Sequence, residues 1–217
     1  LHLPKEYSFI KPIGELQLEI GAATPGAMVL NYCKEHQLTG LEFMVGIPGN
    51  VGGWLAMNAG TRQGAICDVV KCVRVMDSAT GEHQELVADL DAGYHCCPGI
   101  EGKVVLSCVI ELQRGLIEDI ERAMEQAKSR RFDFSGLRTE GSVFRNPPNG
   151  IAGKLSEEAG CKGLRIGGAR VIEQHGNIIA ADSTATASDI EALIKRVHES
   201  VLEKSGIALD REIVILG

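Results

Sequence analysis

The chain has 217 residues, enough for one large domain or two modest ones, and 44% of them are hydrophobic against 24% charged. Its formal net charge of −7 argues against general nucleic-acid binding, which needs clustered cations facing phosphates. No apolar run approaches the roughly 20 residues of a membrane helix.

In chain order, Leu16-Gln17-Leu18-Glu19-Ile20 alternates apolar and polar, as a half-buried strand does. Thr24-Pro25 reads as an N-cap followed by proline at the first helical position, with the helix expected to end near Gly40. Residues 46–53 hold four glycines and a proline, too many for a regular element. Residues 69–112 read as strands, with a turn at Ser78-Ala79-Thr80-Gly81. Ile117, Ile120, Ala123, Met124 and Ala127 recur at helical spacing and predict a helix to about Arg131, so a change of lobe is expected near 113–117.

Further on, a short helix is predicted at 154–159, closed by Gly160. Strands at 169–174 and 178–181 follow, with a turn at His175-Gly176-Asn177 between them. Ser188 and Glu191 match a capping box, ahead of a stripe of Ile190, Leu193, Ile194, Val197 and Val201 that Gly206 ends. Residues 209–216 read as a final strand. Strands early and helices mixed with short strands late define an α+β chain.

Three features bear on chemistry. The loop Gly46-Ile47-Pro48-Gly49-Asn50-Val51-Gly52-Gly53 admits a ligand close to the backbone, and it is neither a Walker sequence nor GxGxxG. On the residues alone, a structural turn and a phosphate cradle stand equal. Residues 128–170 hold 9 Lys and Arg against 4 Asp and Glu, which suits a small anionic ligand or a solvated surface. The seven cysteines include adjacent Cys96 and Cys97, form no CxxC pair, and give Cys67 and Cys72 no His at zinc-finger spacing. No metal site is expected, and the usage fits buried, reduced thiols in a cytoplasm.

The glycine loop, followed by Met57-Asn58-Ala59-Gly60, resembles the flavin-contacting signature of the UDP-N-acetylenolpyruvoylglucosamine reductases. Those proteins have a vanillyl-alcohol-oxidase type of FAD-binding lobe followed by a smaller α+β substrate lobe. Gly141-Ser142-Val143-Phe144-Arg145-Asn146-Pro147 is similar to that family's GSxFKNP segment. Ala152-Gly153-Lys154-Leu155, Ile166-Gly167-Gly168-Ala169, Glu173-x-His175-x-Asn177 and Ala185-Thr186-Ala187-x-Asp189 follow in the family's order.

The resemblance implies an NADPH-driven, FAD-mediated reduction of UDP-N-acetylglucosamine enolpyruvate, a small-molecule substrate, in the cytoplasmic synthesis of bacterial cell wall. It implies cofactor contacts from Gly46, Ile47, Pro48, Gly49, Asn50, Val51, Gly52, Gly53, Asn58, Ala59 and Gly60. It makes Ser142 the proton donor and Glu212 the carboxylate that assists at the reacting acid, because hydride addition to an unsaturated carboxylate builds up negative charge and needs a proton. Arg145, Asn146, Lys154 and His175 are implied as substrate contacts, with Lys162 and Arg165 as further counter-charge.

Two departures stand out. His95 takes the place of the family's enolate-stabilising arginine, replacing a permanent fork with a titratable cation. Residues 1–11 lack the family's Gly-Gly-Gly-Ser-Asn-like FAD stretch. The expected division is thus a partial FAD lobe at 1–114, a substrate lobe at 115–204, and a strand at 205–217 returning to the FAD side. Two other readings stay open, a flavin oxidoreductase of the same superfamily with another substrate and a non-catalytic nucleotide-sugar module. No membrane or nucleic-acid partner is expected, and no oligomer is predicted.

Overall fold

The computed structural model describes residues 3–87, 90–131 and 136–215. By their contacts they form two units, 1–131 and 132–217.

The first unit is built on an antiparallel sheet. After β1 (Ile10–Pro12) and β2 (Gln17–Gly21) come helix α1 (Gly26–Glu35), the short strand β3 (Leu38–Thr39), helix α2 (Val51–Ala56) and the small hairpin β4 (Gly60–Thr61) and β5 (Gly64–Ala65). Then β6 (Val70–Asp77), β7 (His83–Val87), β8 (Lys103–Glu111) and β9 (Gln113–Arg114) lead to helix α3 (Ile117–Ser129). The main sheet runs β1-β2-β8-β6-β7. Its centre sets Ile20 beside Cys108 and Cys108 beside Val73, all 1% exposed or less. Helices α1 and α2 add Val29, Leu30, Val51, Trp54 and Leu55 to the same core.

Packing explains one glycine here. A Cβ on Gly26 would stand 1.8 Å from the Trp54 ring, so α1 and α2 approach only because Gly26 has no side chain.

Three expectations in this unit are corrected. Thr24 does not cap α1. Its buried hydroxyl accepts from the Phe9 N–H and donates to the Phe9 carbonyl, both at 3.0 Å, so a long-range tie displaces the local cap. Helix α1 ends at Glu35, short of Gly40, because the chain turns through Gln37 (φ +54) to pair Leu38 and Thr39 with Arg114 and Gln113. Residues 51–56 are helical despite Gly52 and Gly53, because Val51, Trp54 and Leu55 bury one face at i, i+3 and i+4. Helix α3 packs on residues 42–44 and on α1, so the contact division falls after Arg131, whereas the sequence pattern changes at 113–117.

The second unit holds α4 (Ala152–Glu158), a small antiparallel sheet of β10 (Arg165–Ile166), β11 (Ala169–Val171) and β12 (Ile179–Ala181), and the long helix α5 (Ala187–Ser205). Leu193, Ile194, Val197 and Val201 of α5 pack on Phe144, Cys161, Ala169 and Val171. Gly206 ends the helix in the left-handed region (φ +71).

The capping box lies two residues earlier than expected. Thr186 Oγ1 accepts from the Asp189 N–H at 3.1 Å and Asp189 Oδ2 accepts from the Thr186 N–H at 2.9 Å, so Ser188 and Glu191 fall inside the helix. Thr186→Ala is expected to lower the unfolding free energy by about 1 kcal/mol, read by urea denaturation.

The expected final strand is also corrected. Residues 207–215 form no regular strand and touch residue 144 through an isolated bridge at Arg211. Leu209 is buried in the second unit's core, and this segment groups with that unit. Leu216 and Gly217 lie outside the described residues.

Candidate active site

In the first unit the glycine loop is tied down from within. Gly46 (φ +80) and Gly49 (φ +103) occupy conformations that favour glycine. The Trp54 indole donates to the Pro48 carbonyl at 3.1 Å, and the Gly26 N–H donates to Gly49 at 3.0 Å. The Ile47, Val51 and Gly52 N–H groups donate to the Met44, Thr24 and Ala22 carbonyls. Three of the donors that an anion cradle would use are therefore engaged by the fold.

What the loop presents instead is a smooth wall. Asn50, Gly52, Gly53 and Ala56 line a cavity of about 510 Å³, together with Val104 and Val105 of β8. Nothing lies within 4 Å of a Cβ built on Gly53, whereas one on Gly52 would press on Ala22 at 3.0 Å. Gly52 thus serves packing, and Gly53 leaves the cavity wall open.

The Asn58-Ala59-Gly60 segment anchors a second feature. Asn58 (φ +40) donates its Nδ2 to the Gly93 carbonyl at 2.9 Å and accepts from the Cys67 N–H at 3.2 Å. Gly93 and Cys96 close a tight turn on which His95 (φ +51) stacks against Tyr94, with ring centroids 4.1 Å apart. Ala59 accepts from the Ile66 N–H. A side chain on Gly60 would meet the Gly64 carbonyl at 2.3 Å, so this hairpin requires glycine.

The structure thereby brings the end of the glycine region and His95 together. The neighbouring thiols are quiet. Burial pushes Cys67 up to about 12 and raises Cys97, which keeps both protonated and unreactive. All seven cysteines are free.

In the second unit three extended segments lie side by side. Gly141 (φ +86) turns the chain into Ser142, which bridges Ile178. The Glu212 N–H donates to the Val143 carbonyl at 2.8 Å and the Arg145 N–H to the Asp210 carbonyl at 2.9 Å, on either side of the Phe144–Arg211 bridge. Glu212 therefore sits opposite Val143, the neighbour of Ser142, and both Ser142 and Glu212 are half-buried.

The residue holding this arrangement is Asn177, 4% exposed. Its Oδ1 accepts from the Phe144 N–H at 2.9 Å, its Nδ2 donates to the Phe144 carbonyl at 2.8 Å, and its own carbonyl accepts from the Val143 N–H. Sequence reasoning placed Asn177 in a turn and missed this clamp; an Asn just before an apolar strand was the available signal.

The implied substrate residues surround α4. Asn146 Oδ1 accepts from the Ala152 N–H at 3.0 Å, at the start of the helix that carries exposed Lys154. His175 Nδ1 accepts from the Asn177 N–H at 3.1 Å, and its ring lies against Gly153. Burial lowers the proton affinity of His175, opposed by Glu157 and reinforced by Lys162. Lys162 pairs with Glu157 at 2.6 Å and Arg165 lies 3.6 Å from Asp182. Among the described residues Arg145 and Lys154 make no ion pair, which leaves their charge for a ligand.

Comparison with known proteins joins the two units. Residues 10–86 match the model of an FAD binding domain, which makes the first unit the flavin-binding part of a flavoprotein. Residues 133–216 match the model of the UDP-N-acetylenolpyruvoylglucosamine reductase C-terminal domain. The chain is 39% identical over 199 residues to that reductase of Syntrophobacter fumaroxidans, covering 91% of this chain and 58% of the relative. It is 35% identical over 221 residues to that of Caulobacter vibrioides, covering 100% of this chain and 73% of the relative. The crystal structure of the Thermus caldophilus reductase superposes with a TM-score of 0.83 at 31% identity, over 97% of this chain and 76% of that one. The chain belongs to the UDP-N-acetylenolpyruvoylglucosamine reductase family, and its α+β fold with an FAD-binding lobe is as the motifs implied.

Proposed function

We propose that this chain forms the body of a flavin-dependent enzyme that reduces UDP-N-acetylglucosamine enolpyruvate to UDP-N-acetylmuramate with NADPH, in the cytoplasmic synthesis of peptidoglycan precursors. The observation that carries this reading is the backbone ladder that seats Ser142 and Glu212 in adjoining positions of one unit. Two residues 70 positions apart in sequence, matched independently to a proton donor and an assisting carboxylate, stand one ladder position apart there.

The first unit suits FAD by its chemistry. The cavity wall is smooth at Gly52 and Gly53, apolar at Val104 and Val105, and polar at Asn50. Residues 46–53 and 58–60 shape the flavin side. Bound FAD supplies the hydride that adds to the vinyl carbon of the substrate.

The remaining work falls to side chains of this chain. The Ser142 hydroxyl gives a proton to the carbon beside the ether oxygen, so one hydride and one proton convert the enolpyruvyl group into a lactyl ether. Glu212 assists at the substrate carboxylate, and His95, where the family has arginine, opposes the negative charge that develops there. Arg145 and Lys154 face the substrate's diphosphate, and Asn146 and His175 frame the sugar side.

Incubation with FAD followed by desalting tests the reading. The chain is expected to retain flavin absorbance, to lose it on addition of NADPH, and to regain it when the enolpyruvyl substrate is added without oxygen. Reduction by NADPH with no reoxidation by this substrate would point to another substrate. Failure to retain flavin would overturn the flavoenzyme reading for this chain.

A further inference from the structure

The turn that carries His95 is fixed from within and from outside. Gly93 and Cys96 exchange backbone hydrogen bonds, at 3.0 Å and 3.4 Å, across the two central residues Tyr94 and His95. A Cβ on Gly93 would stand 3.0 Å from the Cys96 sulfur, so the turn is tightly closed. From outside, the Asn58 amide joins the Gly93 carbonyl to the Cys67 N–H. His95 itself takes the left-handed conformation (φ +51), which is uncommon for a residue other than glycine.

On this turn the Tyr94 and His95 rings lie nearly parallel, with planes 15° apart and centroids 4.1 Å apart. Tyr94 is 55% exposed, whereas His95 is half-buried. An aromatic ring this open is not there to fill a core.

Histidine chemistry gives the contact a use. A guanidinium presents five N–H groups in a rigid fork, so an arginine meets an anion from several orientations. An imidazole has at most two N–H groups, both in the plane of its ring. The direction of that plane therefore decides whether a histidine can oppose a given charge. The turn fixes the backbone of His95, and a parallel neighbour fixes its plane.

We infer that Tyr94 is the positioning residue for His95, setting the plane in which the imidazole meets the charge that develops on the substrate. The assignment rests on the part proposed above for His95.

Proton NMR of the chain without flavin reads the stacking directly. The imidazole signals of His95, assigned by their loss in His95→Gln, are expected upfield of an unstacked histidine. They are expected to move downfield in Tyr94→Leu and to stay in place in Tyr94→Phe.

The second measurement starts from flavin reduced with dithionite and follows its reoxidation by the enolpyruvyl substrate without oxygen. Wild type, Tyr94→Leu, Tyr94→Phe, His95→Gln and the double variant Tyr94→Leu/His95→Gln are compared, with thermal melts to establish that each is folded. Tyr94→Leu is expected to slow reoxidation about 2–10-fold, the worth of one aromatic stacking contact, and Tyr94→Phe to stay within about 2-fold of wild type. In the His95→Gln background Tyr94→Leu is expected to add nothing, because a positioning residue acts only through the group it holds. Equal slowing in both backgrounds would overturn the assignment, since Tyr94 would then touch the substrate itself. A folded Tyr94→Leu as fast as wild type, beside a slow His95→Gln, would overturn it and leave the part of His95 intact. So would His95 signals that do not move between wild type and Tyr94→Leu. His95→Gln reoxidised at the wild-type rate would remove the part of His95 and the assignment with it. Wild type that is not reoxidised would remove the substrate reading, and the assignment would fall with that.

Discussion

Asn177→Ala is expected to destabilise the second unit by about 2–6 kcal/mol, because it strands two buried backbone groups at about 1–3 kcal/mol each. The Phe144 N–H and carbonyl both bond to the Asn177 amide, and Phe144 is 2% exposed, so water cannot replace the lost partners. The effect reaches past stability. Phe144 bridges Arg211 next to the Glu212–Val143 hydrogen bond, so a loosened Phe144 loosens the spacing of Ser142 and Glu212. Asn177→Asp is no rescue: it keeps an acceptor for the Phe144 N–H but loses the donor and buries a charge. Urea denaturation would read the stability loss directly. A variant as stable as wild type would show that the paired amide bonds do not hold the segment.

Ser142→Ala is expected to lower turnover of the enolpyruvyl substrate about 10²–10⁴-fold, the usual contribution of a positioned proton donor. The fold should be untouched, because the structural part played by Ser142 is its backbone bridge to Ile178, and the turn before it depends on Gly141. The two variants therefore separate cleanly. Ser142→Ala should keep wild-type stability, FAD binding and flavin reduction by NADPH while losing reoxidation by substrate. Asn177→Ala should lose stability and turnover together. Near-normal turnover in Ser142→Ala would remove this serine from the chemistry and shift attention to Glu212 as the proton source.

The parts of the site differ in how far they could be read from residues alone. The order of short motifs was enough to propose Ser142 and the glycine region, because each motif is a run of residue types and runs survive without coordinates, whereas Glu212 came from the family resemblance. What each residue does locally was less legible. Asn58 looked like a cofactor contact, yet its amide pins the turn that carries His95. Lys162 and Arg165 looked like counter-charge for a ligand, yet Glu157 and Asp182 stand beside them.

Elements whose signal is periodic and local follow from the order of residues alone. Strand β2, the β6–β7 hairpin, helix α3 and the apolar stripe of α5 all follow from which residues recur on one face. Glycine stops such as Gly160 and Gly206 follow from conformations that other residues rarely adopt. Where partners come from far along the chain, the outcome follows only from the folded arrangement. Phe9 claimed the Thr24 hydroxyl, β9 drew Leu38 and Thr39 out of the helix, and Thr24 and Ala22 took the Val51 and Gly52 N–H groups. Residues 143–145 held the end of the chain without making it a strand. In each case a hydrogen-bonding group had a local option and a distant one, and burial made the distant one the better satisfied.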